Sequence, residues 1–229
     1  MKEGIGKHGL SDVVVSLIMI LLVLVAIGIV WVVAKGIITY TIENINLSGL
    51  IIDMKIVEVV NDRTNPAPNN NVLNIKVKRN PGEGDLAGLV FVFEGNGKSG
   101  EFKTTQIINE VEEKQFTILR TDLTAIAFSE IEKISLVPIF KLKLGKEKQG
   151  NIVDEVELSC VDGEGGAMIH IKGTSKTNFG DYTDSCQTAI IVNEYFCTNV
   201  NINNKGIVIK RNNYCPSSIP NCIDGACKV

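Results

Sequence analysis

The chain has 229 residues, with 23 Lys and Arg against 26 Asp and Glu, so its formal net charge is −3 at pH 7. This balance gives no basic footprint for nucleic acid, and we expect no nucleic-acid partner. Hydrophobic residues make up 45% of the chain and charged residues 21%. Such a composition suits a globular domain accompanied by one membrane span.

Residues 13–34 form an uninterrupted apolar stretch, VVVSLIMILLVLVAIGIVWVVA, in which Ser16 is the only conventional polar side chain. At about 1.5 Å per residue, an α-helix of this length spans roughly 33 Å, which is enough to cross the hydrocarbon core of a bilayer. A soluble helix of this length would carry a polar face, and this stretch has none. The sequence therefore predicts a transmembrane helix surrounded by membrane lipid.

The charges beside the apolar stretch predict its orientation. Lys2 and Lys7 precede it and Lys35 follows it, a bias that places the N-terminus in the cytoplasm and the bulk of the chain outside the cell. A secretory signal peptide is disfavoured, because its apolar region is only about 7–15 residues long and ends at a small-x-small cleavage site. An ordinary uncleaved anchor remains one interpretation of this helix.

The segment just before the helix has a second interpretation. Residues 7–12, KHGLSD, followed at once by the apolar run, resemble the class III signal of archaeal type IV pilins and archaellins. In that family a prepilin peptidase cuts after a glycine on the cytoplasmic side, and the helix stays in the mature protein. The resemblance implies processing between Gly9 and Leu10 by a prepilin peptidase-like enzyme. His8 stands where the family usually has Lys or Arg.

Beyond the membrane, the helix is expected to continue as a stem to about residue 48. Ile38, Ile42 and Ile45 recur at spacings of four and three residues, which is the pattern of an amphipathic helix. Residues 46–48, Asn-Leu-Ser, form a sequon, so Asn46 is a candidate glycosylation site. An unused sequon is an equally good interpretation.

Residues 49–158 are typical of a β domain. Residues 72–78, VLNIKVK, alternate polar and apolar side chains as a half-buried strand does. About seven such runs separated by turns predict an antiparallel, Ig-like β-sandwich head. Pro138 is expected at an edge or a bulge, and residues 121–130 in a short helix or loop. The stretches GEGDLAGLVFVFEGNGKSG and ISLVPIFKLKLGKEKQGNIVDEVEL resemble head domains of archaeal pilin-like proteins.

All six cysteines lie in the remaining segment, residues 159–229, and they are Cys160, Cys186, Cys197, Cys215, Cys222 and Cys227. An even number of irregularly spaced cysteines in an extracytoplasmic region favours three disulfides over a zinc site or free thiols. Six cysteines allow 15 pairings, and the sequence does not choose among them. The segment resembles a small Cys-rich module at the ends of archaeal surface proteins, and no ligand is assigned to it.

The sequence contains no strong motif for metal binding or catalysis. Residues 162–166, DGEGG, carry carboxylates that suit calcium, but they lack the spaced acids of an EF-hand loop, and a plain turn is favoured. His170, between Ile169 and Ile171, is expected on a strand face. The sequence contains no G-x-S-x-G, Walker or H-E-x-x-H motif. We therefore expect a protein that is not an enzyme, with no catalytic residue, metal or cofactor.

These patterns predict four segments: a cytoplasmic leader at 1–9, a helix and stem at 10–48, the sandwich head at 49–158 and the Cys-rich module at 159–229. The predicted function is that of a structural subunit of a type IV pilus-like surface filament or envelope assembly, with adhesion as a compatible role. The subunit would form homo- or hetero-oligomers through its N-terminal helix. The alternative is a monomeric membrane-anchored surface protein that binds a ligand or cell-surface partner through sandwich loops. An envelope hydrolase ranks third.

Overall fold

A computed structural model of the chain describes residues 9–48, 52–64, 71–82, 84–142, 145–198 and 204–229. Within the N-terminal helix, side chains are described for residues 14–36. The leader through His8, the side chains of Leu10 and Asn46, and those of the expected stem isoleucines lie outside the described part. The chain divides into two compact units, Met1–Leu50 and Ile51–Val229.

The first unit is a single helix, α1 (Gly9–Ser48), 40 residues long. Within it, Val14–Gly36 is long and apolar enough to cross a membrane, as judged by length and composition. The expected apolar helix is therefore confirmed as one candidate membrane span near the N-terminus. Its backbone stays helical for a further three turns beyond Gly36, because no Pro interrupts the sequence there.

The described residues of the second unit form sixteen strands joined mainly by turns. They are β1 (Met54–Asp62), β2 (Val72–Arg79), β3 (Leu86–Gly95), β4 (Lys98–Thr104), β5 (Glu113–Leu119), β6 (Lys133–Lys141), β7 (Glu147–Gln149), β8 (Asp154–Glu157), β9 (Cys160–Asp162), β10 (Thr174–Thr177), β11 (Gly180–Thr183), β12 (Ser185–Thr188), β13 (Ile191–Cys197), β14 (Val208–Tyr214), β15 (Asn221–Ile223) and β16 (Ala226–Lys228). The expected short helix or loop at 121–130 consists of two 3-10 turns, Arg120–Asp122 and Phe128–Glu130, with a connecting loop.

The strands form two large sheets and two small ones. One large sheet has the order β12-β13-β14-β1-β2-β5, and the other has the order β4-β3-β6-β7 with β8 also paired to β6. The small sheets are β11-β10-β9 and β15-β16. Neighbouring strands are antiparallel, as expected, except for β1 and β14, which pair in parallel.

The two large sheets pack face to face through their apolar sides. Alternation along β2 buries Leu73, Ile75 and Val77 completely. Across the core, Phe91 on β3 meets Phe116 on β5 with ring centroids 5.3 Å apart. Each fully buried side chain of this size contributes about 1.5–3 kcal/mol of burial free energy. The expected sandwich is thus confirmed, and its inward-facing residues are those predicted from period-two alternation.

Pro138 lies within β6 at a gap on the strand's outer side. There, β8 pairs with the first half of β6 and β7 pairs with its last three residues. No described strand pairs with Pro138 on that side, which suits a residue without a backbone N–H. The expectation of an edge position is therefore met locally, although β6 is flanked by β3 on its other side.

Strand pairing continues across the expected boundary at residue 158. Val60 on β1 is the register partner of Val208 on β14, and β13 pairs with β14 over seven residues. Ile207, Val208 and Ile209 are all buried, and Val208 packs with Val60, Cys160 and Cys197 in a separate apolar group on the outer face of this sheet. The Cys-rich segment therefore supplies three strands of a large sheet and belongs to the compact unit Ile51–Val229.

All six cysteines form disulfides, as the sequence predicts. The pairs are Cys160–Cys197, Cys186–Cys222 and Cys215–Cys227. The first joins β9 to β13 and the second joins β12 to β15. These bonds fix short strands and turns that bury little apolar surface of their own.

Candidate functional site

The described surface of α1 is apolar around its whole circumference. Between Val14 and Gly36 no side chain is buried, and only Ala34 is even partly covered. A helix that is hydrophobic on every side must be covered by lipid or by other protein, since it offers no polar stripe to water. This surface is therefore the first candidate functional site.

Ser16, Ala26 and Gly28 do not share one face of α1. At about 100° of rotation per residue, Gly28 lies about 120° from Ser16 and about 160° from Ala26. The three small residues therefore point in different directions. A Cβ added at Gly28 would meet nothing within 4 Å in the chain itself, so Gly28 is an open notch among larger apolar side chains.

The second candidate site is a group of three carboxylates in the Cys-rich region. One carboxylate oxygen from each of Glu164, Asp184 and Glu194 lies within 4.8 Å of the others. Glu164 follows β9, Asp184 lies between β11 and β12, and Glu194 is on β13. We call these three residues the carboxylate cluster. It gathers side chains that are up to 30 residues apart in sequence.

Asp184 is held in place by two backbone groups. The N–H of Tyr195 donates to its Oδ1 over 2.8 Å, and the N–H of Gly173 donates to its Oδ2 over 2.8 Å. The residue is 3% exposed. These two bonds fix the direction of the carboxylate and leave its remaining lone pairs available to another group.

The carboxylate of Glu164 packs directly against Gly173. Any residue with a side chain at position 173 would collide with that carboxylate. A Cβ added at Gly173 would lie 1.5 Å from Glu164 Oε1. Both carboxylate oxygens of Glu164 are shielded from water, and in the described part of the chain no N–H group donates to them, although a hydrogen bond to Asp184 forms when one of the two carboxyls carries a proton. Oδ2 of the nearby Asp162 is likewise shielded and has no described donor.

Glu194 is the most deeply buried member of the cluster, with 0% of its surface exposed. Its Oε2 accepts a hydrogen bond from Asn213 Nδ2. Its Oε1 is buried and has no hydrogen-bond partner among the described residues. A buried oxygen without a donor is unusual, because leaving such a group unsatisfied costs about 1–3 kcal/mol or more.

Burial and mutual repulsion perturb the ionisation of the cluster. Burial, followed by the charge of Asp184, raises the pKa of Glu164 to about 8. The same two causes raise the pKa of Glu194 to about 7. Burial also raises the pKa of Asp184. Three negative charges at this separation are unfavourable unless protons or a cation compensate them.

The described residues supply little positive charge to the cluster. None of the ion pairs found there joins Glu164, Asp184 or Glu194 to a lysine or arginine. Arg211 is the cross-strand partner of Glu194 and lowers its pKa somewhat, but its own side chain is exposed.

Clefts on the described surface offer further candidate ligand sites. A cavity of about 210 Å³ is lined by Tyr182 and Tyr195 together with the paired charges of Glu58 and Lys76, whose ionic groups are 2.5 Å apart. An open cleft of about 390 Å³ lies beside the β3–β4 turn. In that cleft Lys133 Nζ is 3.4 Å from Glu94 Oε2, so the charges of these two side chains neutralise each other. A third cleft, of about 410 Å³, is lined by residues 122–125 and part of β4.

Among the described residues, those singled out from the sequence lie in different parts of the structure and do not form one site. Gly9 is the first residue of α1, whose apolar span begins five residues later. Residues 163–166 form a bend, and Glu164 within it is a member of the carboxylate cluster. The strand expected at His170 is wrong: His170 is exposed in a turn closed by the N–H of Ile171 and the carbonyl of Met168. Local alternation was misleading there because the segment closes on itself as a turn, and only one backbone bond from a described strand, from the N–H of Cys227 on β16 to the carbonyl of Ile169, reaches it.

Sequence reasoning missed Asp184 and Glu194. One local signal was present for Glu194, which lies between Val192 and Phe196 on the same face of β13. An acid at the centre of an otherwise apolar strand face is atypical, because period two turns it inward. Asp184 carried no such signal, since only the chain's tertiary contacts bring it to Glu164.

Comparison with protein-family models, with curated proteins and with solved structures finds no match for this chain. Its function must therefore be inferred from its own residues.

Proposed function

We propose that the chain is a structural subunit of a type IV pilus-like surface filament or envelope assembly. In this proposal α1 anchors the subunit in the membrane and later packs against the helices of neighbouring subunits. The observation that carries the proposal is the apolar surface of α1 between Val14 and Ala34, where no side chain is buried.

The length of α1 supports a role beyond anchoring. Forty helical residues extend for about 60 Å, whereas a bilayer core requires only about 20 residues. A lone anchor gains nothing from the additional turns. A filament subunit uses them, because a long continuous helix can pack against the same helix of its neighbours over its whole length.

The second unit supports an extracytoplasmic location for the rest of the chain. Its three disulfides are the type of cross-link that persists in oxidising compartments. Lys2 and Lys7 favour a cytoplasmic N-terminus by the positive-inside rule. Together these features support a single-pass arrangement with the sandwich at the cell surface or on a surface filament.

The proposal includes processing between Gly9 and Leu10 by a prepilin peptidase-like enzyme. Mass spectrometry of the purified native protein, reduced and unreduced, tests this step. We expect a mature chain that begins at Leu10 and carries six oxidised cysteines. A chain that retains residues 1–9 would favour an ordinary anchor. The same measurement reports any glycan at Asn46.

The second candidate is a monomeric anchored protein that binds a ligand at its sandwich loops. The cleft beside the β3–β4 turn is the observation that favours it. Its charged side chains largely pair with one another, which leaves few groups to bind a polar ligand. Release of the protein by detergent only as monomers, from cells that shed no filaments containing it, would favour this candidate.

A further inference from the structure

The carboxylate cluster presents oxygen atoms and little else to its centre. It contains no His nitrogen or Cys sulfur, and the nearby cysteines are bound in disulfides. A set made only of carboxylates suits a hard cation such as Ca²⁺ or Mg²⁺ rather than zinc or copper.

The spacing of the oxygens suits one ion of calcium size. Calcium lies about 2.3–2.6 Å from its oxygen ligands, so two ligands on opposite sides of the ion are about 4.6–5.2 Å apart. The three cluster oxygens lie no more than 4.8 Å from one another, so one calcium ion can reach all three. Magnesium requires near-ideal octahedral geometry and shorter bonds, to which three side chains from separate segments are poorly adapted.

Glu194 gives an independent indication of a ligand. It is completely buried on β13, and its Oε1 has no hydrogen-bond partner in the described ranges. A neutral core would favour an apolar residue at this position. A cation bound between Glu194, Glu164 and Asp184 would satisfy this oxygen and the two shielded oxygens of Glu164 together.

The surrounding structure holds the cluster in advance of any ligand. Two backbone N–H groups orient Asp184, and Gly173 leaves room for the carboxylate of Glu164. The Cys160–Cys197 disulfide ties the strand that precedes Glu164 to the strand that carries Glu194. Such preorganisation lowers the ordering cost of binding.

We propose that Glu164, Asp184 and Glu194 bind one calcium ion, with Asp162 as an additional nearby charge. The ion joins the bend after β9, the segment between β11 and β12, and β13. Calcium binding therefore stabilises the Cys-rich part of the second unit. This proposal is independent of whether the chain forms filaments.

The test uses the full chain in detergent micelles, stripped with EGTA and then titrated with calcium in a calorimeter. We expect one calcium per chain. At a hundredfold excess over the dissociation constant, thermal unfolding should shift upward by about 5–10 °C. Magnesium at the same concentration should give less than half of this shift. An equal shift with magnesium would overturn the assignment to calcium.

Two variants locate the site. Glu194→Gln and Glu164→Gln each keep the size of the side chain and remove its charge. Each should weaken calcium binding by at least about tenfold, because replacing even a residue that only supports the ligands lowers metal affinity by about 10–100-fold. Glu164 is only partly buried, so its variant serves if Glu194→Gln does not fold. Asp181→Asn, at an exposed carboxylate on β11, is the matched control and should bind calcium as the wild type does.

Absence of calcium binding in the wild type would overturn the proposal. Unchanged calcium affinity in a folded Glu164→Gln or Glu194→Gln variant would also overturn it. Loss of affinity in Asp181→Asn to the same degree would show that general surface charge, rather than the cluster, holds the ion.

Discussion

Val60 on β1 and Val208 on β14 are partners in a parallel strand pair, although 148 positions separate them in the chain. Their pairing inserts the Cys-rich segment into the sheet of the sandwich head. Val208 is 1% exposed and contacts the buried group that includes Cys160 and Cys197. The sheet of the second unit is therefore continuous from the head into the disulfide-linked strands, and Val60 and Val208 join the two parts on its outer face.

Because of this continuity, Val208→Ala should destabilise the whole second unit. We expect a loss of about 1–3 kcal/mol from the cavity and the lost burial. Hydrogen exchange followed by mass spectrometry should show β2 and β14 losing protection together. Val161→Ala, at an exposed site on β9, is the control and should change stability by less than about 0.5 kcal/mol. Faster exchange confined to β13 and β14 would contradict a single cooperative unit.

The disulfides should contribute unequally to stability. Cys160 and Cys197 are 37 residues apart, whereas Cys215 and Cys227 are 12 apart. In the chain-entropy account, the longer loop restricts the unfolded chain by about 1 kcal/mol more. Replacing Cys160 and Cys197 by serine should therefore lower the free energy of unfolding further than replacing Cys215 and Cys227. Denaturant titration measures both variants, and the reverse order would show that local packing outweighs chain entropy.

Much of the fold was predictable from the sequence because its determinants are local. The alternation of Leu73, Ile75 and Val77 predicts β2 and its buried face, and the apolar run around Phe91 predicts β3. The long apolar stretch predicts α1 for the same reason. In each case the side-chain period reports directly which face is covered.

The remainder depended on contacts between distant residues. The polar, Gly-rich and Asn-rich composition of residues 159–229 conceals the fact that Val208 completes the head's sheet. The disulfide pairing follows from that arrangement and not from cysteine spacing. The carboxylate cluster was hidden for the same reason, since Asp184 and Glu194 reach Glu164 only after three separate segments have folded together.

The proposed processing step predicts the behaviour of a leader variant. Gly9→Val should leave the full-length precursor in the membrane, because a peptidase that closely approaches the backbone tolerates glycine, which has no Cβ. Immunoblotting of membrane fractions distinguishes the precursor from the chain shortened by nine residues. Gly6→Val, which adds the same bulk three residues earlier, is the control and should be processed. Normal processing of Gly9→Val would show that cleavage does not occur between Gly9 and Leu10.

Packing of α1 against other copies predicts an effect at Gly28. An added Cβ there meets nothing within 4 Å in the chain itself, so we attribute any loss to contact with a second molecule. We expect Gly28→Leu to insert normally into the membrane but to reduce the yield of sheared filaments several-fold. Val23→Leu, which also adds apolar bulk to the exposed helix, is the control and should leave the yield nearly unchanged. Equal yields from both variants would exclude Gly28 from the contact between subunits.

The most direct measurement for the filament proposal is mass spectrometry of filaments sheared from intact wild-type cells, combined with electron microscopy of the same fraction. The proposal predicts filaments that contain this chain, beginning at Leu10, with all six cysteines oxidised. Absence of this chain from every sheared filament, together with its release by detergent only as a monomer that retains residues 1–9, would contradict the proposal.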